Sequence, residues 1–242
     1  AQPTQQDGEA KVELDDWGFG YNLGFLYEPT EHTRFGLAYR SGIDHDAKGD
    51  AEFDQGSSGV GAAISGATGL FVDTGASLSV STPATLSLGA HHDLNDQVAI
   101  MGEVAWTDWS TFDELRVQFD NAQGDSVTEE DWDDSFFVAA GASYQALPNL
   151  KIRGGIAYDE SPIPDETRTP RVAGNDRYWV SLGADYLPWS GLSFSASYTH
   201  IFVEDGDIDL PATDEGNRFR GNLSGTYENQ IDIITLSGTI HF

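Results

Sequence analysis

The sequence predicts an all-β fold, a transmembrane antiparallel up-and-down β-barrel, and three observations support this prediction. Apolar side chains alternate with small or polar ones along about nine segments. Aromatic residues stand at the ends of these segments more than at their centres. The connections alternate between short and long, as in barrels with tight turns on one side of a membrane and long loops on the other.

The first segment, residues 16–27, shows the alternation most fully. Its odd positions are all apolar or aromatic, from Trp17 to Tyr27, and most of its even positions are glycine or asparagine. Side chains of a strand alternate between two faces, so one face is apolar and the other small or polar. The ten steps from Trp17 to Tyr27 measure roughly 33 Å at ~3.3 Å per residue. Tilted by about 40°, such a strand rises roughly 25 Å, the height of the apolar band on an outer-membrane barrel.

Eight further segments repeat the pattern and complete a predicted set of nine strands. Their apolar positions begin at Phe35, Leu86, Val98, Phe136, Leu150, Tyr178, Leu192 and Ile234. Short connections lie at 28–33, 93–97, 146–149 and 188–191, and long ones at about 45–79, 110–134, 159–176 and 204–218. With the short turns in the periplasm, the aromatic residues form two girdles. The predicted periplasmic girdle is Tyr27, Tyr144, Tyr186 and Phe242, and the outer girdle is Trp17, Tyr39, Trp106, Tyr158 and Tyr178.

Length and composition fit one barrel domain over residues 1–242. No run of 18 or more apolar residues is present, so a helical membrane span is not expected. The net charge of -28, from 12 basic and 40 acidic residues, argues against a nucleic-acid partner. Most acidic runs fall in the long connections, where they suit a solvated surface, with cation bridges to lipopolysaccharide as the alternative. None matches a calcium loop, so we expect no metal site and no cofactor.

A soluble β-barrel or sandwich is the main structural alternative. Its apolar face would point inward, and its other face would carry the charges of a water-exposed surface. In this sequence the second face is mostly glycine, alanine, serine and threonine. The pattern therefore favours apolar side chains toward lipid and small or polar ones toward a lumen.

Several stretches of the sequence resemble the FadL family of outer-membrane transporters of long-chain fatty acids and related hydrophobic compounds. They are DDWGFGYNLGFLYEPTEHTRFGLAYRS, PATLSLG, VAWTDWSTFDEL, IRGGIAYDESPIPDETRTPR and NDRYWVSLGADY. The resemblance covers nearly the whole chain, and AYDESPIPDETRTPR followed by DRYW is its most specific element. It implies a Gram-negative outer-membrane location. It also implies diffusion of the ligand from an outer groove to a pocket in the barrel and then sideways into the membrane.

The resemblance is restricted to the C-terminal part of the family's barrel. That barrel has fourteen strands behind an N-terminal hatch, and this sequence resembles about strands six to fourteen. We therefore expect the hatch and the first five strands to be absent from these 242 residues. Nine antiparallel strands alone would leave costly open edges in lipid.

The Gly- and Ala-rich stretch at 57–75 is the first candidate ligand site. Its apolar residues are Val60, Ile64, Leu70, Phe71 and Val72. Apolar side chains in a long outer loop usually indicate binding, and the resemblance places this loop at the initial capture groove. The alternative is a short helix that plugs the barrel mouth.

Further candidates lie in or near the predicted lumen. Trp109 and Phe112 line the ligand path or, alternatively, anchor the chain at the interface. Phe137 and Trp179 fall on the lumen face and are pocket candidates, the alternative being contact with the hatch. Arg153 is the candidate for a fatty-acid carboxylate, and Arg34, Arg40 and Arg177 share its face. These arginines could instead pair with lumen acids. The acidic SVTEEDWDD at 126–134 leaves a neutral hydrocarbon open as the ligand.

The predicted function is passive uptake of hydrophobic molecules across the outer membrane by a monomer in contact with lipid and lipopolysaccharide. A general diffusion porin and a structural or adhesive barrel are the alternatives. We expect no enzyme, because no grouping of His, Ser and acid and no HExxH motif stands out.

Overall fold

The computed structural model describes residues 8–57, 59–213, 217 and 221–240. Its strands are β1 Glu9–Asp15, β2 Asn22–Thr30, β3 Thr33–Arg40, β4 Ile43–Asp54, β5 Thr74–Thr82, β6 Thr85–Asp93, β7 Val98–Thr107, β8 Glu114–Phe119, β9 Ser126–Glu129, β10 Ser135–Leu147, β11 Leu150–Asp159, β12 Arg177–Trp189, β13 Leu192–Val203, β14 Gly206–Leu210, β15 Leu223–Tyr227 and β16 Gln230–Ile240. A helix, α1, spans Val60–Thr68, and a 3-10 turn spans Trp109–Thr111. No helix in the described ranges is long and apolar enough to cross a membrane.

Nine strands form one sheet, in the order β2-β3-β6-β7-β10-β11-β12-β13-β16. All neighbouring strands in this sheet pair antiparallel. Their order in the sheet is also their order along the chain, and the strands that lie between them in sequence, such as β4 and β5, belong to other sheets. We call it the barrel sheet. It confirms the predicted antiparallel meander and its nine strands.

The register of the barrel sheet places the large apolar side chains on one face. Leu37 pairs with Leu88, Val104 with Val138, and Ile156 with Val180. These side chains are exposed in spite of their size, and Leu182 retains 62% of its accessible surface. The opposite face carries Gly36, Gly89, Gly141 and Gly155 among other small residues. The apolar face is the one suited to lipid.

Five strands form a second sheet outside the barrel, in the order β1-β4-β5-β8-β9. We call it the outer sheet. It continues the barrel strands without a change of register, since Arg40 pairs with Thr85 and Ile43 with Thr82. The long connections predicted at 45–79 and 110–134 therefore contain strands that the sequence analysis did not identify. Small or apolar residues from Ala47 to Phe53 alternate with charged ones, which are acidic apart from Lys48, and the dense charge concealed this period of two.

The first predicted strand is interrupted. Residues 16–21 lie outside any strand, and β2 begins only at Asn22 and runs to Thr30. Trp17 and Phe19 are 97% and 94% exposed on this irregular segment. Asp16 accepts hydrogen bonds from the His45 ring, at 3.1 Å, and the Asp46 amide, at 3.2 Å. The even-numbered glycines thus serve a close approach to β4, where a Cβ at Gly18 would meet the Ile43 side chain at 2.4 Å.

The outer girdle is otherwise supported by its hydrogen bonds. Trp106 donates to Asp134 at 3.0 Å, Tyr178 donates to Glu204 at 3.1 Å, and Tyr158 donates to Asp176. Each acid lies in a connection beyond the strand end. Phe242, predicted for the periplasmic girdle, lies outside the described residues.

The last long connections differ from each other. Residues 160–176 carry no strand, as predicted, whereas 204–218 contains β14, which pairs with β15 in a two-stranded hairpin. The barrel sheet ends at β2 and β16, and neither outer edge is paired within the described ranges.

Candidate ligand pocket and outer groove

A cavity of about 710 Å³ lies on the face of the barrel sheet opposite the apolar one. Small residues line its base, among them Gly36, Gly89, Ala139, Gly141, Gly155 and Ala157. Leu26, Met101, Phe137 and Trp179 form its apolar walls, and Arg34, His91, Glu103 and Ser181 supply polar groups. We call it the lumen cavity. The cavity forms where small side chains of neighbouring strands align, because these side chains project little from the lumen face of the sheet.

Two aromatic side chains stand on either side of Ala157. Trp179, on β12, pairs with Ala157 of β11, whose partner on β10 is Ala139. Phe137 lies two residues before Ala139 on the same face of β10 and pairs with Asp159, so it is diagonal to Ala157. Strands two places apart in a sheet are separated by about 9.6 Å. The two rings thus stand diagonally across a slot that has the small Ala157 side chain at its base, and all three residues line the lumen cavity. The lumen-facing position predicted for Phe137 and Trp179 matches this geometry, while their role in binding stays a prediction.

Arg34 is the cation of the lumen cavity. Its Nη2 donates to Nδ1 of His91 at 3.3 Å, the residue opposite it in the register of β3 and β6. Among the described residues, no carboxylate lies within ion-pair distance of its guanidinium. An arginine with an apolar wall beside it and no carboxylate partner is suited to a ligand's anionic group.

Arg153, the arginine chosen from sequence, has a different environment. It forms an ion pair with Asp185, which also accepts a hydrogen bond from Ser195 Oγ at 2.8 Å. It is not among the residues that line the lumen cavity. Its geometry matches the alternative of pairing with lumen acids. At the outer end of the same strands, Arg177 pairs with Asp159 at 3.2 Å, so ion pairs lie at both ends of the aromatic slot.

The outer candidate site is a helix at the tip of the outer sheet. Gly59 and Gly69 begin and end α1 in left-handed conformation, with φ of 76° and 71°. A groove of about 580 Å³ runs along the helix beside Val60, Ala63, Ile64 and Ala67. Val60, Ile64, Phe71 and Val72 are exposed, and Leu70 is half-buried. The stretch is thus helical, as the plug alternative expects. The helix follows the far end of β4, which is roughly 36 Å from the first residue of that strand at ~3.3 Å per residue.

Aromatic rings support the tip of the outer sheet. Phe53 at the end of β4 contacts Phe71, with ring centroids 6.1 Å apart, and Phe119, with centroids 6.0 Å apart. The Phe71 amide also donates to Gln123 at 3.1 Å. Phe71 therefore belongs to a small apolar cluster with Phe53 and Phe119, and this cluster lies just beyond α1 in the chain.

Trp109 and Phe112 meet at a third place, around Trp132. The Trp132 ring lies 4.9 Å from Trp109 and 5.0 Å from Phe112, both in edge contacts. Trp132 donates to the Glu130 carboxylate at 3.0 Å. Burial raises the pKa of Glu130, although the Trp132 bond and the charge of Arg171 oppose this change. Neither Trp109 nor Phe112 lines the lumen cavity.

The structure brings together residues that sequence reasoning separated or missed. Leu26, His91, Met101 and Glu103 join Phe137 and Trp179 around one cavity. The alternation along each strand is enough to place these residues on the lumen face. Their positions relative to one another along the barrel axis depend on the register between strands, which the sequence pattern does not give. In the described ranges, no three or more His, Asp or Glu residues are grouped as metal ligands.

A wholly antiparallel sheet with lipid-suited residues on one face and a small-residue cavity on the other defines an outer-membrane β-barrel. The model of the outer membrane protein transport protein family (OMPP1/FadL/TodX) matches residues 1–242. The chain belongs to this family. It is therefore part of a β-barrel of the Gram-negative outer membrane.

Individual relatives agree. A putative outer membrane protein of Neisseria meningitidis serogroup B is 32% identical over 255 residues, covering 100% of this chain and 54% of that protein. The long-chain fatty acid transport protein of Escherichia coli K12 is 32% identical over 197 residues, covering 79% of this chain and 44% of that protein. The chain thus spans about half the length of these relatives.

A solved structure of a Pseudomonas aeruginosa FadL homologue superposes with a TM-score of 0.82 at 27% identity. It covers 96% of this chain and 54% of that one. The Pseudomonas putida toluene transporter TodX, at 19% identity and a TM-score of 0.54, shares the fold.

Proposed function

We propose that the protein containing this chain takes up hydrophobic molecules passively across the outer membrane and binds them in the lumen cavity. The observation that carries the proposal is the slot between Phe137 and Trp179 over Ala157. A cavity with apolar walls and few polar groups is the usual form of a small-molecule site. The proposal includes no chemical step, and we propose that the protein is not an enzyme.

The ligand class that fits best is a long-chain fatty acid. Its carboxylate would pair with the Arg34 guanidinium, whose planar fork matches a carboxylate, and its chain would lie toward Phe137 and Trp179. The runner-up is a neutral hydrocarbon, favoured by the apolar walls and by Glu103, which would repel a carboxylate.

The outer groove along α1 would capture the ligand first. Burying each methylene is worth about 0.8 kcal/mol, so six supply roughly 5 kcal/mol before the cost of association. Val60, Ile64, Leu70, Phe71 and Val72 offer such a surface at the tip of the outer sheet. Weak capture of this kind permits release inward.

The proposed partners follow from location and charge. The exposed apolar face contacts lipid, and the acidic outer connections face lipopolysaccharide. The net charge of -28 opposes nucleic acid. We propose a monomer, since one cavity is built within one sheet. Trp109 and Phe112, clustered with Trp132, are proposed as interface anchors, and Arg153 as a structural partner of Asp185.

Ala157→Leu tests the cavity by filling the slot between the two rings. We expect slower uptake of labelled oleate and of toluene by cells that carry the complete protein. Ala142→Leu is the matched control, because Ala142 is exposed on the lipid face of β10. Unchanged uptake of both compounds in Ala157→Leu would rule out the cavity as the binding site. Large steady ion conductance without hydrophobic uptake would instead favour a porin.

Arg34→Met distinguishes the two ligand classes. If Arg34 receives a carboxylate, oleate uptake falls while toluene uptake stays the same. Arg40→Met is the control, since Arg40 shares the strand and face but donates to Asn22 at 3.2 Å and lies outside the lumen cavity. An equal loss for both compounds would contradict carboxylate recognition by Arg34.

A further inference from the structure

A polar cluster lies on the apolar face of the barrel sheet, on its last two strands. His200 of β13 pairs with Asp232 of β16 in the register, and His200 Nδ1 lies 2.7 Å from Asp232 Oδ1. Tyr198 donates its hydroxyl to the same oxygen at 2.6 Å. The His200 ring also makes an edge contact with Phe202, with ring centroids 4.2 Å apart. His200, Asp232 and Tyr198 thus form one connected unit, which we call the rim cluster.

Large apolar side chains surround the rim cluster on the same face. Val180 of β12 pairs with His200, and Ile234 and Leu236 follow Asp232 at alternate positions of β16. Ile234 and Leu236 keep 74% and 78% of their accessible surface. Such side chains suit lipid tails, whereas a charged side chain on a lipid-facing surface is costly away from the interfaces. An aspartate at this place therefore requires a polar environment that lipid tails do not provide.

The register gives the depth of the cluster. Tyr178 of the outer girdle pairs with Phe202, which pairs with Gln230 at the start of β16. His200 and Asp232 are the next pair inward on this face, roughly 6.6 Å along the strands at ~3.3 Å per residue. Aromatic girdles mark the two interfaces of the membrane. The rim cluster thus lies just inside the outer interface, where lipid headgroups meet acyl chains.

The atoms that the cluster offers to a ligand are hydrogen-bond acceptors. A carboxylate only accepts, so the proton shared with Asp232 is carried by His200 Nδ1, and Nε2 of the neutral ring is an acceptor. Among the described residues, nothing donates to this Nε2 or to Oδ2 of Asp232. The His200 and Asp232 side chains keep 23% and 52% of their accessible surface, so a lipid can reach both. A ligand that satisfies these atoms must bring O–H or N–H donors.

We propose that the rim cluster binds the amide and hydroxyl groups of lipopolysaccharide on the outside of the barrel. At this depth a glycerophospholipid has ester carbonyls, which only accept hydrogen bonds. Lipid A, the anchor of lipopolysaccharide, has amide N–H groups and hydroxyls on its acyl chains, and these complement Asp232 Oδ2 and His200 Nε2. This goes beyond the proposed uptake, because it concerns a lipid that stays outside the barrel.

Asp232→Leu with His200→Leu tests the site in the complete protein. Leucine matches the neighbouring lipid-facing side chains, so we expect the barrel to assemble as before. Val180→Leu is the control for shape, since Val180 lies in the same row and is already apolar. Tyr198→Phe removes only the hydroxyl that holds Asp232. Tyr186→Phe is its control, because Tyr186 is exposed on the same face toward the other end of β12.

The measurement is native mass spectrometry of the purified proteins in detergent with equal amounts of lipid A and phosphatidylethanolamine. The parent should carry lipid A several-fold more often than phosphatidylethanolamine. The double leucine variant should lose this preference, Tyr198→Phe should lose part of it, and both controls should resemble the parent.

An unchanged preference in the double leucine variant and in Tyr198→Phe, or no preference in the parent, would overturn the lipid site. Parent dimers that dissociate in the double leucine variant would assign the cluster to a protein interface and would also overturn it. Oleate uptake is a separate readout that should stay unchanged in these variants, whereas a failure of the proposed lumen site would appear in Ala157→Leu.

Discussion

At the scale of single residues, Glu130 is a buried acid in a chain whose other acids are mostly solvated. It is 8% exposed, and its amide donates to the Asp113 carbonyl at 2.8 Å. Its carboxylate accepts from Trp132, and its carbonyl accepts from Thr167 of the connection at 160–176. Glu130 therefore connects the cluster of Trp109, Phe112 and Trp132 to the connection at 160–176.

The raised pKa of Glu130 predicts a pH dependence for this region. Burial favours the protonated form of Glu130 in the folded state. Its contribution to the free energy of unfolding is therefore fully present below the ordinary pKa of 4.5 and is lost as pH rises through the pKa of the folded state. A tenfold difference between the folded and unfolded ionisation constants is worth about 1.4 kcal/mol. The urea midpoint for loss of the near-ultraviolet circular dichroism of the tryptophan cluster should therefore be higher at about pH 5 than at about pH 7.5.

Glu130→Gln is the control for this prediction. It keeps the shape and an acceptor for the Trp132 indole but does not titrate, so the urea midpoint should become flat over this range. Asp134 titrates in a lower window, since the Ser110 amide holds its pKa below 3.8. A glutamine variant with the parent's pH dependence would show that another group is responsible.

At the scale of elements, the break at 16–21 separates the barrel sheet from the outer sheet. The pairing of β1 with β4 ends at Asp15 and Lys48, and that of β2 with β3 starts at Asn22 and Arg40. Six residues on one strand thus face seven on the other, which is the count of a β-bulge. Bulges bend a strand and raise its twist, which allows the outer sheet to leave the barrel wall.

Gly18→Val should disturb this junction. The new side chain would collide with Ile43 and His45, and overpacking of this kind costs about 1–3 kcal/mol. We expect faster trypsin cleavage after Lys48 in the outer sheet. Gly24→Val on β2 is the control, because a Cβ there meets nothing within 4 Å. Equal cleavage in the two variants would mean that residues 16–21 have room to adjust.

The α1 stretch gives a second prediction at this scale. Leu70→Ser with Phe71→Ser should lower uptake at low ligand concentration and leave barrel assembly unchanged, because a peripheral loop carries little of the barrel's stability. Val172→Ser with Leu223→Ser changes two exposed apolar residues away from α1, in the connection at 160–176 and at the start of β15, and is the matched control. Identical uptake kinetics in the Leu70 and Phe71 variant would exclude the groove from capture.

At the scale of the whole molecule, the barrel sheet has two open edges in the described ranges, β2 and β16. In a row of nine antiparallel strands the first and the last run in the same direction. They cannot pair antiparallel with each other, so closure with antiparallel pairs throughout requires an odd number of further strands. This fits the proposal that the complete barrel includes strands that these residues lack.

The 242 residues expressed alone should therefore fail to form a compact barrel in detergent or lipid. Unpaired backbone groups at both edges would find no water within the bilayer, at a cost of several kcal/mol each. Heat-dependent mobility on SDS gels, the signature of a folded barrel, should be absent for the segment and present for the complete protein. A heat-modifiable monomer formed by the segment alone would contradict this expectation.

The sequence alone determined the class of fold, because a period of two with apolar residues on one face and small residues on the other, with aromatic residues at the strand ends, is typical of a lipid-facing strand. It also determined that Phe137 and Trp179 face away from lipid, since parity along a strand needs no tertiary information. Tertiary structure decided which of the described lumen arginines has a carboxylate partner. Arg34 and Arg153 share a face, and only the register places Asp185 beside Arg153 and leaves Arg34 with His91.

Tertiary structure also decided the outer region. The acidic runs concealed the strands of the outer sheet. The burial of Arg168 was not visible in the sequence either, because its hydrogen-bond partners include Gly174 in the connection at 160–176 and Asp207 in β14. Local patterns record which face a side chain takes. Distances between residues far apart in the chain depend on register and loop packing, which sequence periodicity does not encode.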